Sequence, residues 1–262
     1  MTDIIQAARL LVEARRTGKP LRELPDSCKP TSADDVNTII DAVTEQLNES
    51  IGGWKIGFLY SPRQKPIICP LFDSRLFSSP ARVPISLTPS LRIEPEICFR
   101  LMRDLPAREK QYRASEVADA VEACPSLEII DTRFDTSYRS IRQMLDQRSS
   151  KLEALADHNT TGAYIVGEGR SDWQNFDFAV MKVKMRTRDR VIVDTVGGHA
   201  FLDPFLPCVV LASQMRHRGG LRAGQVLVTG SFSGFFEVAP DEPVTAEFVG
   251  FGSAEATFVS KP

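Results

Sequence analysis

No stretch of this chain is apolar for long enough to cross a bilayer. The longest run, Phe205 to Ala212, falls far short of the roughly 20 residues that a spanning helix needs. Residues 1–16 carry Asp3 and Glu13 and lack a continuous apolar centre, so they read poorly as a signal peptide. Five cysteines, Cys28, Cys69, Cys98, Cys124 and Cys208, are scattered without a C-x-x-C pair. An odd, dispersed set argues against a disulfide framework or a zinc site and fits a reducing cytosol. An excess of positive charge is also missing: 32 Lys and Arg face 34 Asp and Glu, for a net charge of −2. Without a basic stripe interleaved with aromatics, the footprint of a nucleic-acid binder is absent. The expectation is a soluble cytoplasmic protein with neither nucleic acid nor membrane as partner.

Several catalytic signatures are lacking as well. The three histidines, His158, His199 and His217, form no H-E-x-x-H, and no G-x-S-x-G elbow occurs, which excludes zincin and serine-hydrolase readings. Neither G-x-G-x-x-G nor a P-loop is present, which argues against nucleotide-dependent dehydrogenases and NTPases.

What is present is a chain of 262 residues, 42% hydrophobic, ample for one large or two small domains. Ile4, Ala8, Leu11 and Val12 recur at helical spacing, predicting a helix over 3–17 that stops near Gly18. A proline-bearing connector over 19–30 follows. Ser32-x-x-Asp35 resembles a capping box ahead of a second helix with Val36, Ile39, Ile40, Val43 and Leu47 on one face. From Gly53 onward, strand-like runs predominate, at 54–58, 82–86, 91–99, 126–131, 162–167, 178–186, 190–195, 225–230, 243–249 and 254–259. Helices are expected at 115–123, 137–156 and 204–217. Many strands and few helices predict an α+β domain on a large, curved or barrel-like mixed sheet.

In Leu91-Arg92-Ile93-Glu94-Pro95-Glu96-Ile97-Cys98-Phe99 the apolar residues occupy one strand parity, and Arg92, Glu94, Glu96 and Cys98 the other. Both glutamates therefore leave the same face, roughly 6.5–7 Å apart. Two like charges so close resist joint ionisation unless a cation or an arginine compensates them. The pair is either a solvated face with Arg92 as partner or part of a cation site. Glu128, inside Leu127-Glu128-Ile129-Ile130, is either a third ligand or a residue turned to solvent from an edge strand. Hard carboxylate oxygens on neighbouring strands suit Mg²⁺ or Mn²⁺. Lys55 stands in Gly53-Trp54-Lys55-Ile56-Gly57. Desolvated there, its pKa would drop and it would serve in acid–base chemistry or hold an anion; otherwise it snorkels to water.

Taken in order, these segments resemble the 2-keto-4-pentenoate hydratase and 2-oxo-3-enedioate decarboxylase family of the fumarylacetoacetate hydrolase superfamily. The matching blocks are G-W-K-I-G at 53–57, L-F-D-S at 71–74, I-E-P-E-I at 93–97, L-E-I-I-D-T-R at 127–133 and D-H-N-T-T-G at 157–162. A-G-Q-V-L-V-T-G at 223–230 and G-F-G-S-A at 250–254 close the series. The resemblance implies a mixed β-barrel-like core of the fumarylacetoacetate hydrolase C-terminal type with an N-terminal helical layer. It divides the chain into a helical region over 1–50 and a mixed-sheet catalytic domain over 51–262. It further implies Glu94, Glu96 and Glu128 as ligands of Mg²⁺ or Mn²⁺, and Lys55 and Asp73 as catalytic residues. Phe58, Asn159, Thr160 and Thr161 become substrate contacts, and the assembly a homo-oligomer. The activity implied is hydration of a small 2-hydroxydienoic or 2-oxo acid. Metal-dependent 2-oxo-3-enedioate decarboxylation, acylpyruvate C–C hydrolysis and a catalytically silent paralogue are the alternatives. The chain departs from the family pattern at Phe58-Leu59-Tyr60-Ser61, at His158-Asn159-Thr160-Thr161, at Leu202-Asp203-Pro204 and in the aromatic Ser231–Phe236 stretch, changes that imply a longer or aromatic substrate.

Overall fold

The computed structural model describes residues 2–59, 64–137 and 140–260. The first half of the chain runs α1 (Ile4–Thr17), α2 (Ala33–Leu47), β1 (Ile51–Gly57), β2 (Ile67–Phe72), β3 (Leu76–Ser78), β4 (Ala81–Pro84), β5 (Arg92–Leu101), β6 (Leu105–Pro106), α3 (Ala114–Ala118) and β7 (Val121–Ile130). The second half adds α4 (Ile141–Asp146), α5 (Arg148–Ala156), β8 (Thr161–Val166), β9 (Lys182–Arg186), β10 (Val191–Val196), α6 (Phe205–Met215), β11 (Gly220–Leu221), β12 (Val226–Ser231), β13 (Phe236–Glu237), β14 (Pro243–Phe248) and β15 (Gly252–Val259). Two compact units result. One comprises Met1–Ser50, Gly57–Pro70 and Asp131–Thr161; the other Ile51–Ile56, Leu71–Ile130 and Gly162–Pro262. The helical first fifty residues are thus joined by two later segments.

The helical unit is built on the stripes legible in its sequence. Ala7, Ala8, Leu11 and Val12 of α1 and Val36, Ile39, Ile40 and Val43 of α2 share one core with Ile67, Cys69, Phe134, Met144, Leu152 and Leu155. Each fully buried Leu or Ile there is worth about 1.5–3 kcal/mol relative to exposure. Ser32 Oγ caps α2 by accepting from Asp35 N at 3.1 Å. The Asp35 carboxylate turns back to Thr31 N at 2.8 Å, one residue earlier than a full capping box requires. The single helix expected over 137–156 is broken in two at Gln147, which is extended at φ −98°, ψ 131°. Buried Ser150 explains the break. Its hydroxyl donates to Met144 O at 3.0 Å, taking a carbonyl that a continuous helix would use.

The second unit holds a curled, half-barrel mixed sheet with the strand path β1-β12-β5-β7-β8-β3. Pairs β1/β12 and β3/β8 are parallel, while β12/β5 and β5/β7 are antiparallel. A second sheet runs β10-β9-β14-β15-β4. The apolar parity of β5 packs as read: Phe99 meets Trp173 and Phe205 of α6 at ring separations of 5.3 and 5.6 Å. The helix expected over 115–123 stops at Ala118, because Val121, Glu122 and Ala123 pair with Leu101, Arg100 and Phe99. Sheet pairing overrides local helix propensity there. Only 182–186 of the expected 178–186 strand is extended; Asp177 Oδ1 accepts Ala179 N at 3.0 Å and holds the preceding segment as a turn. Strands β2 and β3 were not legible as strands.

Candidate metal centre

Antiparallel pairing of β5 and β7 sets Glu94 opposite Glu128 and Glu96 opposite Ser126. Like charges facing each other across a ladder destabilise it unless something offsets them. The solvated-face reading fails, since Glu94, Glu96 and Glu128 are all buried, the last two completely. Arg92 is not their partner either: it meets Glu237 at 2.7 Å. One carboxylate oxygen from each glutamate lies within 4.8 Å of the others.

Lys55 reaches this group from β1. Its Nζ donates to both oxygens of Glu128, at 2.5 and 2.7 Å. The lysine does not snorkel, for it is 6% exposed. Nor does its pKa drop as a desolvated lysine's would: burial pulls it down, but the charges of Glu128, Glu96 and Glu94 outweigh burial and hold the ammonium above its ordinary range. Burial first, and then the Glu128 charge, push the Glu94 carboxyl up to about 8. Burial and the neighbouring carboxylates drive Glu96 well above its usual range. With all four groups ionised, one ammonium faces three carboxylates, so two negative charges stay uncompensated in a dry site.

Glu96 locates where that excess points. Its Oε2 accepts from Tyr164 at 2.9 Å, whereas its buried Oε1 has no hydrogen-bond partner. A buried carboxylate oxygen without a donor is costly. Three converging oxygen donors with such an orphan fit a hard divalent cation such as Mg²⁺ and leave positions for water or a chelating ligand. Glu94, Glu96 and Glu128 would hold it.

The other expected site residues fall in two places. Asp73 is exposed in a 3₁₀ turn after β2. Its Oδ1 lies 2.2 Å from where a Cβ on Gly52 would stand, so a side chain there would displace it. Gly52 and Lys55 differ in strand parity, which sets Asp73 on the far side of β1 from the ammonium, and the Lys55 ammonium meets Glu128. Phe58, half-buried, and Asn159, Thr160 and Thr161 belong to the helical unit. There Asn159 Nδ2 lies 3.1 Å from the position of a Cβ on Gly57, so Gly57 makes room for the amide. His158, Asn159 and Thr160 form three consecutive left-handed residues, at φ 50°, 51° and 56°, a conformation costing of order 1–3 kcal/mol each. An ion pair of Arg133 with Asp157 holds them. Arg133 N and Thr132 Oγ1 each donate to Asp157 Oδ2 at 2.8 Å, and Asp131 N donates to Thr160 O at 2.8 Å. His158 is buried, and burial, with Arg15 and Arg133 nearby, lowers its pKa well below the usual value.

Sequence reasoning missed Tyr164, Ser126, Arg133 and Asp157. The only signal for the first was a hydroxyl in the apolar run Ala163–Val166, and for the second its shared parity with Glu128. Of the departures expected to reshape a pocket, Phe232 belongs to the core: it is 1% exposed, with His199 and Phe248 rings at 5.4 and 5.3 Å. Tyr60 and Ser61 lie outside the described residues.

No family model matches the chain. It is 26% identical over 266 residues to the 2-keto-4-pentenoate hydratase of Paraburkholderia xenovorans, covering 97% of this chain and 94% of the relative. It is 28% identical over 265 residues to the TodF product hydratase of Pseudomonas putida, with 97% and 94% covered. Among solved structures, 4-oxalocrotonate decarboxylase from Pseudomonas putida G7, complexed with magnesium and adipate, superposes with a TM-score of 0.76 at 21% identity, covering 97% of each chain.

Proposed function

We propose that the chain, similar over nearly its full length to 2-keto-4-pentenoate hydratases, belongs to the 2-keto-4-pentenoate hydratase and 2-oxo-3-enedioate decarboxylase family and is a divalent-metal-dependent hydro-lyase. It adds water to a small 2-hydroxydienoate to give a 4-hydroxy-2-oxo acid. The observation that carries this reading is the buried cluster of Glu94, Glu96, Glu128 and Lys55. When bound, Mg²⁺ or Mn²⁺ would supply Lewis acidity toward the carboxylate and 2-oxygen of the acid.

Lys55 is the proton-carrying group. It is held as an ammonium by the glutamates, so it starts as a donor to the far diene carbon or as a grip on the substrate carboxylate. Ketonisation of the dienol then leaves an enone. The oxygen of water bonds to its fourth carbon, the carbon next to the carbonyl takes a proton, and the sum is substrate plus one water. Asn159, Thr160 and Thr161 supply polar contacts and Phe58 an apolar one; Asp73 stands in the exposed turn after β2. A homo-oligomer working in the cytoplasm belongs to the same proposal, and five free, buried cysteines support a reducing compartment.

A decarboxylase acting on 2-oxo-3-enedioates is the second reading, favoured by the full-length likeness to the decarboxylase fold. Purified protein is assayed with Mg²⁺ or Mn²⁺ against 2-hydroxydienoates and 2-oxo-3-enedioates, following dienoate absorbance and released CO₂ together. Metal-dependent dienoate loss without CO₂, abolished in Glu96→Gln, is expected. CO₂ release moves the activity to decarboxylation. Turnover that survives both EDTA and Glu96→Gln overturns the metal centre.

A further inference from the structure

Resting on the metal-centre reading, we propose that Tyr164, backed by Ser126, is a positioning residue that fixes which oxygen of Glu96 is presented to the cation. The three residues lie on neighbouring strands of one sheet. Glu96 on β5 stands in register with Ser126 on β7, and Tyr164 stands on β8, the next strand over. Tyr164 is completely buried. Its hydroxyl meets Glu96 Oε2 at 2.9 Å and Ser126 Oγ at 2.7 Å, and Ser126 Oγ donates to Glu96 O at 2.9 Å.

The hydroxyl protons give this network a direction. The Tyr164 hydroxyl donates to Oε2, and a carboxylate that holds a cation only accepts, so the phenol proton is committed to Oε2. The serine proton is shared between the phenol oxygen and the Glu96 carbonyl. No proton of the network is left for Oε1, the oxygen that is buried and unpartnered. Tying down Oε2 restrains rotation of the carboxylate about its terminal bond and leaves Oε1 as the oxygen with no protein partner. Glu96 would thereby offer a cation one oxygen while the protein holds the other. Groups that orient a metal ligand in this way are worth about 10- to 100-fold in metal affinity.

The test is Mn²⁺ binding to the full-length protein, read by electron paramagnetic resonance with Mg²⁺ competition, which needs no substrate. Tyr164→Phe keeps the ring and removes the hydroxyl, and is expected to weaken Mn²⁺ about 10- to 100-fold and to change the spectrum of the bound ion. Phe248→Leu, a core change in the second sheet, controls for destabilisation and is expected to bind Mn²⁺ as the wild type does. Tyr164→Phe affinity within about twofold of wild type overturns the proposal while leaving the metal centre standing. If Tyr164→Phe does not fold, Ser126→Ala decides instead: a severalfold loss supports the network, and unchanged affinity overturns it. A wild-type protein that binds no Mn²⁺ overturns the metal centre itself, and the role of Tyr164 with it.

Discussion

At Lys55 burial and charge act in opposite directions, and the outcome depends on three neighbours rather than on the residue. The sequence showed a lone lysine among apolar residues and glycines, which by itself is compatible with a depressed pKa. Only the register of strands far apart in the chain shows that three carboxylates surround it. Lys55→Met removes the one positive charge and leaves those carboxylates buried together. Breaking a buried pair in this way costs about 3–5 kcal/mol, to be read as a lower urea midpoint in EDTA-treated protein. Saturating Mg²⁺ is expected to recover a large part of that loss, while turnover stays at least about 100-fold down. A variant as stable as wild type in EDTA would show that the glutamates hold protons rather than charges in the metal-free state.

At the scale of elements, the left-handed turn at 158–160 costs conformational energy that the Arg133–Asp157 pair must offset. Asp157→Asn keeps the shape of the side chain and removes its charge, leaving the Arg133 guanidinium buried without its counter-charge. The expected loss is again about 3–5 kcal/mol, accompanied by a raised KM for the dienoate, because the turn carries Asn159 and Thr160, the proposed substrate contacts. Urea unfolding with steady-state kinetics checks both, and a KM unchanged beside a lower stability would confine the pair to folding. The elements themselves were unevenly legible. Helices α1 and α2 were read correctly from a 3.6-residue stripe, since one face of each meets a core. The parity of β5 was visible because a proline and two glutamates interrupt an apolar alternation. Strand β2 was not, for Ile67–Phe72 is buried on both faces and contains Pro70, so neither alternation nor β-propensity marks it. The break at Gln147 rests on one serine hydroxyl, a detail below the resolution of any periodicity.

For the whole molecule, what the sequence withheld was strand order. It placed Glu94 and Glu96 on one face, but it could not bring Glu128, Lys55 and Tyr164 to them, because that depends on β12 lying between β1 and β5 and on β8 lying beside β7. The ordered likeness of short blocks along the chain supplied the three proposed ligands and Lys55 where local pattern could not; it supplied no role for Tyr164, Ser126, Arg133 or Asp157. The pairing of β5 with β7 also has a genetic meaning. A strand counts residues in twos, so removing one codon within 93–97 or 126–130 changes the mean composition hardly at all. It nevertheless turns Ile93, Ile97 or Leu127 to the cation side and carboxylates to the core. In a library of in-frame single-codon deletions, these two short windows should be blocks of complete intolerance for growth that depends on the enzyme. Deletions in the 187–190 turn between β9 and β10 should survive. Survivors inside either window would mean that the site is not read from the pleat at all. The reading frame of the strand, more than the identity of any one residue in it, is what this gene has to conserve.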